Sequence, residues 1–163
     1  MPKKDDIQVA ILMGSKSDLP VMEEAANILK DFGVAYEIKV LSAHRTPKET
    51  AAYAEQLQSS SVKVVICGAG GAAALAGVVA AHTILPVIGV PIDSTSLKGI
   101  DSLLSTVQMP PGVPVGSVAI GKMGAKNAAF LALRILAVSD KTIEKKIEQF
   151  KEEQRKQILD IKI

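Results

Sequence analysis

The chain has 163 residues, 48% hydrophobic and 22% charged, a balance typical of a globular protein that folds as one domain. A net charge of +2 gives no electrostatic reason to expect binding to nucleic acid or to a membrane. The single cysteine, Cys67, excludes an internal disulfide and favours a cytoplasmic location. The start of the chain is polar and no apolar run could span a bilayer, so we expect neither a signal peptide nor a membrane helix.

Short runs rich in valine and isoleucine alternate with longer helical patterns. The runs are Ile7–Met13, Tyr36–Ser42, Val62–Gly68, Pro86–Pro91 and Val113–Gly121. Continuous apolar strands separated by helices indicate a parallel sheet with both faces covered. We therefore predict a single α/β domain over residues 1–163, with a five-stranded parallel sheet and a flexible N-terminus over residues 1–6.

The segments between the strands carry helix start and stop signals. The first has Ser17 or Asp18 as its cap and Gly33 as its stop. The stretch "TPKE" predicts a capping box, in which Thr46 caps the helix and Glu49 reaches back to it. Three further helices are predicted over residues 72–82, directly after Gly99 and over residues 125–138.

The last segment, residues 139–163, differs in composition because it is rich in lysine, glutamate and glutamine. Ile143, Ile147 and Phe150 form a narrow apolar stripe, with Ile158 and Ile161 further on. This pattern predicts a helical arm that packs on a neighbouring subunit. A frayed surface helix is the alternative.

Unusual residues follow three of the predicted strands. They are the stretches "MGSKSD" (residues 13–18), "SAHRTP" (residues 42–47) and "GAGGAAALAG" (residues 68–77). In an open parallel sheet, ligands bind outside the carboxyl ends of the strands. We therefore expect a ligand site where these three stretches meet.

The first stretch suits an anion or a sugar. Gly14 allows a sharp turn, and the hydroxyls of Ser15 and Ser17 with the free amides of a helix start could hold an anion. Asp18 would repel a phosphate and fits ribose hydroxyls better, as an acceptor. The alternative is that these residues only make the turn and the cap.

The second stretch pairs a histidine with an arginine. Arg45 is suited to bind a phosphate with two donors, and a histidine such as His44 can accept and donate a proton. Alternatively, His44 is a loop residue and Arg45 a surface charge. The strand before the pair and the helix start after it fix its position, which favours a functional role.

The third stretch raises a competing function. "GAGGAA" fits the dinucleotide pattern G-x-G-x-x-A, and Asp93 follows about 20 residues later, which would suggest NAD or FAD. The stretch follows the third strand rather than the first, however, and close approach of the glycine backbone to a substrate is the simpler interpretation. No cluster of histidine, cysteine and carboxylate has the spacing of a metal site.

Six stretches occur in the order found in one enzyme family. They are "MGSKSD", "SAHRTP", "GAGGAA", "GVP", "DSLLSTVQMPPGVPVG" and "AIGKMGAKNAA". The chain resembles class I 5-(carboxyamino)imidazole ribonucleotide mutases, the catalytic-subunit family of phosphoribosylaminoimidazole carboxylase, from about Val9 to Val138. The related carboxylase that uses carbon dioxide directly typically has "SAHK", so the arginine places this chain with the mutases.

The resemblance implies a three-layer flavodoxin-like sandwich that assembles as a homo-octamer, with C-terminal helices packed on neighbouring subunits. It also implies a reaction of purine biosynthesis, in which a carboxylate moves from the exocyclic nitrogen of an imidazole ribonucleotide to ring carbon 4. The family uses no metal and no organic cofactor. The implied partners are the ribonucleotide substrate and other copies of the chain, with no nucleic acid and no membrane.

The resemblance also implies roles for single residues. His44 matches the catalytic histidine, and Ser15, Asp18 and Arg45 match the nucleotide-binding positions. The positions that line the family's pocket are matched by Gly14, Ser17, Ser42, Ala43 and Gly70.

One departure from the family pattern concerns the third stretch. The family usually reads "GAGGAAHLPG", whereas this chain has Ala74 and Ala76 in place of the histidine and the proline. His82 lies eight helical positions from Ala74, roughly 12 Å along the axis, and cannot simply substitute. Either His44 suffices, or the activity is reduced or altered, or the chain is an engineered variant. The alternative function is a non-catalytic or weakened nucleotide-binding homologue.

Overall fold

A computed structural model of the chain describes residues 6–162. Residues 1–5, most of the predicted flexible N-terminus, lie outside the described residues. Strands and helices alternate until the last two helices. In chain order the elements are β1 (Val9–Met13), α1 (Leu19–Asp31), β2 (Tyr36–Val40), α2 (Pro47–Leu57), β3 (Val64–Gly70), α3 (Leu75–His82), β4 (Val87–Ile92), α4 (Ile100–Val107), β5 (Gly116–Ser117), α5 (Gly121–Ala137) and α6 (Lys141–Leu159).

The strands form one parallel sheet in the order β2-β1-β3-β4-β5. This is the strand order of flavodoxin-like folds, in which the ligand lies at the point where the order reverses. Here that point is the gap between β1 and β3, and Val9 is in register with both Tyr36 of β2 and Val64 of β3. The predicted five-stranded parallel α/β fold is confirmed.

Two apolar layers cover the sheet, because successive side chains of a strand point to opposite faces. Ile11 and Ile66 belong to the core on one face, with residues of α1 and α5. Ala10, Val65 and Cys67 belong to the core on the other face, with residues of α2 and α3. This alternation produces the three-layer sandwich and explains why the central strands read as continuous apolar runs.

The fifth strand is much shorter than predicted. The sequence predicted Val113–Gly121, whereas β5 covers only Gly116–Ser117, paired with Ile88 and Gly89 of β4. Pro114 lies just before the strand, and proline has no N–H to donate to a ladder. The preceding segment therefore forms a loop along the edge of the sheet.

The C-terminal helix divides into two parts. Asp140 caps α6 by accepting from the backbone N–H groups of Thr142 and Ile143, and Ile143 is buried. Phe150 stacks on Phe130 with 4.8 Å between ring centroids, so the first half of α6 packs on its own chain. Residues 151–162 are all exposed. Packing of this arm on a neighbouring subunit stays a prediction, which applies to the exposed half.

Candidate active site

A cavity of about 310 Å³ opens at the carboxyl edge of the sheet. Its walls come from the last residues of β3 and from the chain just after β1, β2, β3 and β4, so it lies across the point where the strand order reverses. Every residue that the sequence suggested for the site lines this cavity: Gly14, Ser15, Ser17, Asp18, Ser42, Ala43, His44, Arg45 and Gly70. The three stretches therefore do meet, as the strand-end argument predicted.

The turn after β1 is closed by its own side chains. Ser15 caps a single 3-10 turn, Lys16–Asp18, and its hydroxyl accepts a hydrogen bond from Ser17 Oγ at 2.9 Å. The backbone N–H of Ser15 donates to Asp18 Oδ2 at 3.1 Å, which completes a capping box. Asp18 lies at the N-cap position of α1, as predicted, but its side chain makes no capping bond to that helix. The chain inserts a tight turn before α1, and Ser15 caps that turn.

Among residues 6–162, Asp18 is the one charged residue that the fold buries, with 5% of its surface exposed. Burial raises the pKa of this carboxyl, while the Ser15 N–H, the Ser17 hydroxyl and the Arg45 charge act in the opposite direction. Desolvation is the largest of these effects. Asp18 is thus a partly satisfied acceptor on the cavity wall, suited to hydroxyl groups of a sugar.

Arg45 joins the loop after β2 to the turn after β1. Its Nη2 donates to the backbone oxygen of Gly14 at 2.6 Å, and its Nε donates to Ser42 Oγ at 3.2 Å. These bonds hold the guanidinium plane in place and leave its other N–H donors for a ligand. Arg45 is therefore oriented before any anion binds.

Thr46 closes the same loop in an unexpected way. It lies at the N-cap position of α2 and Pro47 is the first helical residue, as predicted, but no side chain caps the helix. Instead, Thr46 Oγ1 donates to the backbone oxygen of Ser42 at 3.0 Å and accepts from the Ser42 N–H at 2.9 Å. The predicted capping box was wrong, because the hydroxyl is used to hold the loop that carries His44.

His44 is exposed to the cavity and forms no hydrogen bond with another described residue. Both ring nitrogens are therefore open to a ligand. The other histidine, His82, pairs with Glu55 at 3.0 Å between Nδ1 and Oε1 and lies outside the cavity. Ala74, at the N-cap position of α3, lines the cavity with a methyl group. Within residues 6–162, His44 is thus the one histidine of the site.

The glycine stretch does not form a dinucleotide loop. Gly68 and Gly70 both lie inside β3, and the turn begins only at Gly71, which has a φ of 61°. In the dinucleotide motif the glycines make the turn and the helix start rather than the strand. Gly68 serves packing instead, since a Cβ added there would overlap the side chain of Met22.

Ser94 is the lining residue that lies outside the three predicted stretches. Ala69, Ala73 and Leu75 belong to the third stretch without having been named individually, and Ala74 was named only for the histidine that it replaces. Ser94 follows β4, which is hydrogen-bonded to β3 along its length. The polar run "DSTS" directly after a buried strand was the available signal, because the carboxyl-edge rule applies to β4 as much as to the other strands. The small residues after β3 carry no chemical signal.

Across residues 6–162, no three or more histidine, cysteine, aspartate or glutamate side chains come together in a way that could hold a metal ion. None of the described helices is both long and apolar enough to cross a membrane.

Comparison with known proteins gives a consistent result. The family model described as AIR carboxylase matches residues 8–157. The chain is 55% identical to the N5-carboxyaminoimidazole ribonucleotide mutase of Vibrio parahaemolyticus, over 94% of this chain and 95% of that one. It is 54% identical to the protein of the same name from Saccharolobus solfataricus, over 100% of this chain and 99% of that one.

Solved structures agree with the sequence comparison. The crystal structure of Treponema denticola PurE superposes with a TM-score of 0.85 at 34% identity, covering 93% of this chain and 94% of that one. Since the family model matches most of the chain and the relatives are similar over nearly its full length, the chain belongs to the AIR carboxylase family.

Proposed function

We propose that this chain is an N5-carboxyaminoimidazole ribonucleotide mutase of purine biosynthesis. It converts 5-carboxyamino-1-(5-phospho-D-ribosyl)imidazole to 5-amino-1-(5-phospho-D-ribosyl)imidazole-4-carboxylate, and we place this reaction in the cytoplasm. The observation that carries the proposal is the identity of 55% and 54% to mutases from two distant organisms across nearly the whole chain.

The cavity suits the two ends of such a substrate. Arg45 and the hydroxyls of Ser15, Ser17 and Ser42 can hold the phosphate, and Asp18 can accept hydrogen bonds from the ribose. Gly14 and Ala43 leave room beside these groups because they carry little or no side chain. Gly70 lets the backbone of β3 approach the imidazole.

His44 is the proposed proton shuttle. As the bond between the carboxyl carbon and the exocyclic nitrogen breaks, carbon dioxide leaves and the nitrogen takes a proton from protonated His44. Ring carbon 4 then attacks carbon dioxide, a carbon–carbon bond forms, and carbon 4 gives its proton back to the His44 ring. The residue ends in its starting state, so one positioned histidine with free ring nitrogens can serve both proton transfers.

The wall formed by Ala69, Ala73, Ala74 and Leu75 is apolar. It offers carbon dioxide no nucleophile and no strong hydrogen bond, which favours recapture by ring carbon 4 over escape or hydration. The mutase proposal therefore requires that the carboxyl group stay in the cavity between the two steps.

Isotope retention tests the proposal directly. The purified protein is given substrate with a labelled carboxyl carbon, in unlabelled bicarbonate and with a metal chelator present. We expect rapid conversion with the label kept in the product. No conversion above the uncatalysed rate would contradict the mutase assignment, and loss of the label to the buffer would contradict recapture in the cavity.

Ala74 motivates a second candidate, a weakened nucleotide-binding homologue. This candidate predicts binding of the ribonucleotide in calorimetry without product formation. The variant Ala74→His distinguishes the two candidates. If the natural chain is a mutase with His44 as its shuttle, the substitution should change the rate by less than about tenfold, below the roughly 100- to 10,000-fold contribution of a general acid–base group. A far larger gain in rate would show that alanine at position 74 reduces the activity of the natural chain.

We also propose that the chain assembles as a homo-oligomer, an octamer as the family resemblance implies. The exposed apolar residues at the end of α6 support this, since Ile158 is 68% exposed and Ile161 is 64% exposed. Analytical ultracentrifugation should give a mass eight times that of one chain. A monomer at micromolar concentration would contradict the assembly.

A further inference from the structure

Ser94 brings a fourth strand to the cavity. The sheet order puts the end of β2, which carries Arg45, at one side of the cavity and the end of β4, which carries Ser94, at the other. Three strand spacings separate β2 from β4, about 14 Å. A mononucleotide whose phosphate lies near Arg45 can therefore extend its base toward Ser94.

The wall around Ser94 is otherwise apolar. The neighbouring lining residues Ala69, Ala73, Ala74 and Leu75 offer no polar side chain. The Ser94 hydroxyl makes no hydrogen bond to any other residue in the range 6–162. Ser94 lies in an exposed segment at the rim of the cavity, and beside these apolar residues its hydroxyl is the side-chain group that can hydrogen-bond a polar group of a ligand.

The loop that carries Ser94 is held by hydrogen bonds at both ends. Thr95, the residue after Ser94, donates from its Oγ1 to Asp101 Oδ2 at 2.6 Å. The buried Ser102 hydroxyl lies 3.0 Å from the backbone oxygen of Ile92 and 2.9 Å from that of Gly99, so it ties the loop to the start of α4. The position of Ser94 is thus set by the fold.

Gly70 shows how closely Ser94 approaches β3. A Cβ added to Gly70 would overlap the Ser94 side chain, so the absence of a side chain at residue 70 is what lets Ser94 reach the cavity. The glycine at this position therefore has two effects: it opens the backbone of β3 to the ligand and it makes room for a hydroxyl donor.

From this arrangement we propose that Ser94 binds substrate, donating a hydrogen bond to the carboxylate attached to the imidazole. The inference rests on the proposed mutase function and names a contact for the group that moves. The alanine and leucine side chains of this wall offer a carboxylate no donor, whereas a hydroxyl bonded to a carboxylate makes a short, charge-assisted hydrogen bond. The same hydroxyl can follow the carboxyl group from the exocyclic nitrogen to the adjacent ring carbon.

The test compares two ribonucleotides that differ only in the carboxylate. Calorimetry measures binding of the 4-carboxylated product and of 5-aminoimidazole ribonucleotide to the natural protein, to Ser94→Ala and to Ser96→Ala. Ser96 lies in the same exposed loop but does not line the cavity, so it is the matched control. We expect Ser94→Ala to weaken binding of the carboxylated ligand about tenfold and to leave the other ligand within about twofold.

Three outcomes would overturn the inference: unchanged binding of both ligands, equal weakening of both, or the same effect in Ser96→Ala. Measuring turnover by the natural protein distinguishes failure of the Ser94 proposal from failure of the proposed mutase function. If the natural protein is active and Ser94→Ala binds the carboxylated ligand normally, only the role of Ser94 is wrong. If the natural protein neither turns over the substrate nor binds the carboxylated product, both are wrong.

Discussion

The two ends of the cavity are built in different ways. At the end formed after β1 and β2, Ser15, Asp18, Ser42 and Arg45 are engaged in a network of hydrogen bonds that fixes each polar group before a ligand arrives. At the end formed after β3 and β4, small apolar side chains leave Ser94 as the polar contribution of the wall. The difference indicates that one end is organised to hold a constant charge, while the other keeps the reacting groups in surroundings of low polarity.

The largest loss of activity is expected on substitution of His44, which lies at the polar end of the cavity but acts on the reacting atoms. His44→Asn should lower kcat by about a thousandfold, because general acid–base groups contribute in this range. Binding of the product should change by less than about threefold, since no hydrogen bond of the fold is lost. Steady-state kinetics and calorimetry measure the two quantities. A variant that retains full kcat would disprove the proton-shuttle role.

Arg45 tests whether the polar end holds the phosphate. Arg45→Ala should weaken ribonucleotide binding about 10- to 100-fold, through lost hydrogen bonds to a charged group. Arg45→Lys should recover only part of this, because lysine keeps the charge and loses the planar fork. The exposed Arg134 on α5 provides the control variant Arg134→Ala. If Arg45→Ala bound the ribonucleotide as tightly as the control, the phosphate would lie elsewhere.

Gly70 tests the apolar end through the shape of the wall. Gly70→Ala should displace Ser94 and weaken binding of the 4-carboxylated product roughly fivefold, the loss of about one hydrogen bond. Gly116→Ala is the matched control, since a Cβ at this strand position meets its nearest neighbour at an ordinary 3.8 Å. Calorimetry gives both affinities. Equal binding by the two variants would mean that Ser94 needs no close approach to β3.

The smallest effect concerns the stability cost of the polar end. Burial raises the pKa of Asp18 in the folded state, so the folded protein holds this proton more tightly than the unfolded chain. Ionisation of Asp18 therefore costs stability as pH rises from the ordinary carboxyl range through the raised pKa. At neutral pH, Asp18→Asn should melt about 2 °C higher while binding the ribonucleotide more weakly.

The melting difference should shrink as the pH falls and Asp18 becomes protonated. Thermal melting of both proteins across a pH series measures it. A lower melting temperature for Asp18→Asn at neutral pH would show that the ionised carboxylate stabilises the fold.

The polar and apolar ends of the cavity also differ in how well the sequence predicted them. The residues of the polar end were found because serine, aspartate, histidine and arginine carry chemistry that stands out after an apolar strand, as with His44 and Arg45. The partners of these residues were not predictable: Thr46 bonds to Ser42 rather than to its helix, and the Asp18 side chain accepts from the Ser15 N–H rather than capping α1. Short polar side chains have several backbone partners within reach, and only the folded loop selects among them.

The apolar end was harder to predict for a different reason. Alanine and glycine contribute there by leaving space, and which side chain fills that space depends on a neighbouring strand. The space at Gly70, for example, is occupied by Ser94. The five parallel strands followed from continuous apolar runs separated by helices, because that pattern reflects burial of each strand on both faces. The flavodoxin-like strand order was implied only by the family resemblance. The ends of the strands were predicted less accurately, and β5 shows how a proline-rich segment shortens a strand.

The direction in which the ribonucleotide lies across the sheet edge tests the central claim most directly. A crystal structure of the protein with the 4-carboxylated product should show the phosphate bonded to Arg45 and the carboxylate within hydrogen-bonding distance of Ser94 Oγ, with the His44 ring facing imidazole carbon 4. The reverse orientation, with the phosphate beside Ser94 and the imidazole beside Arg45, would contradict the account.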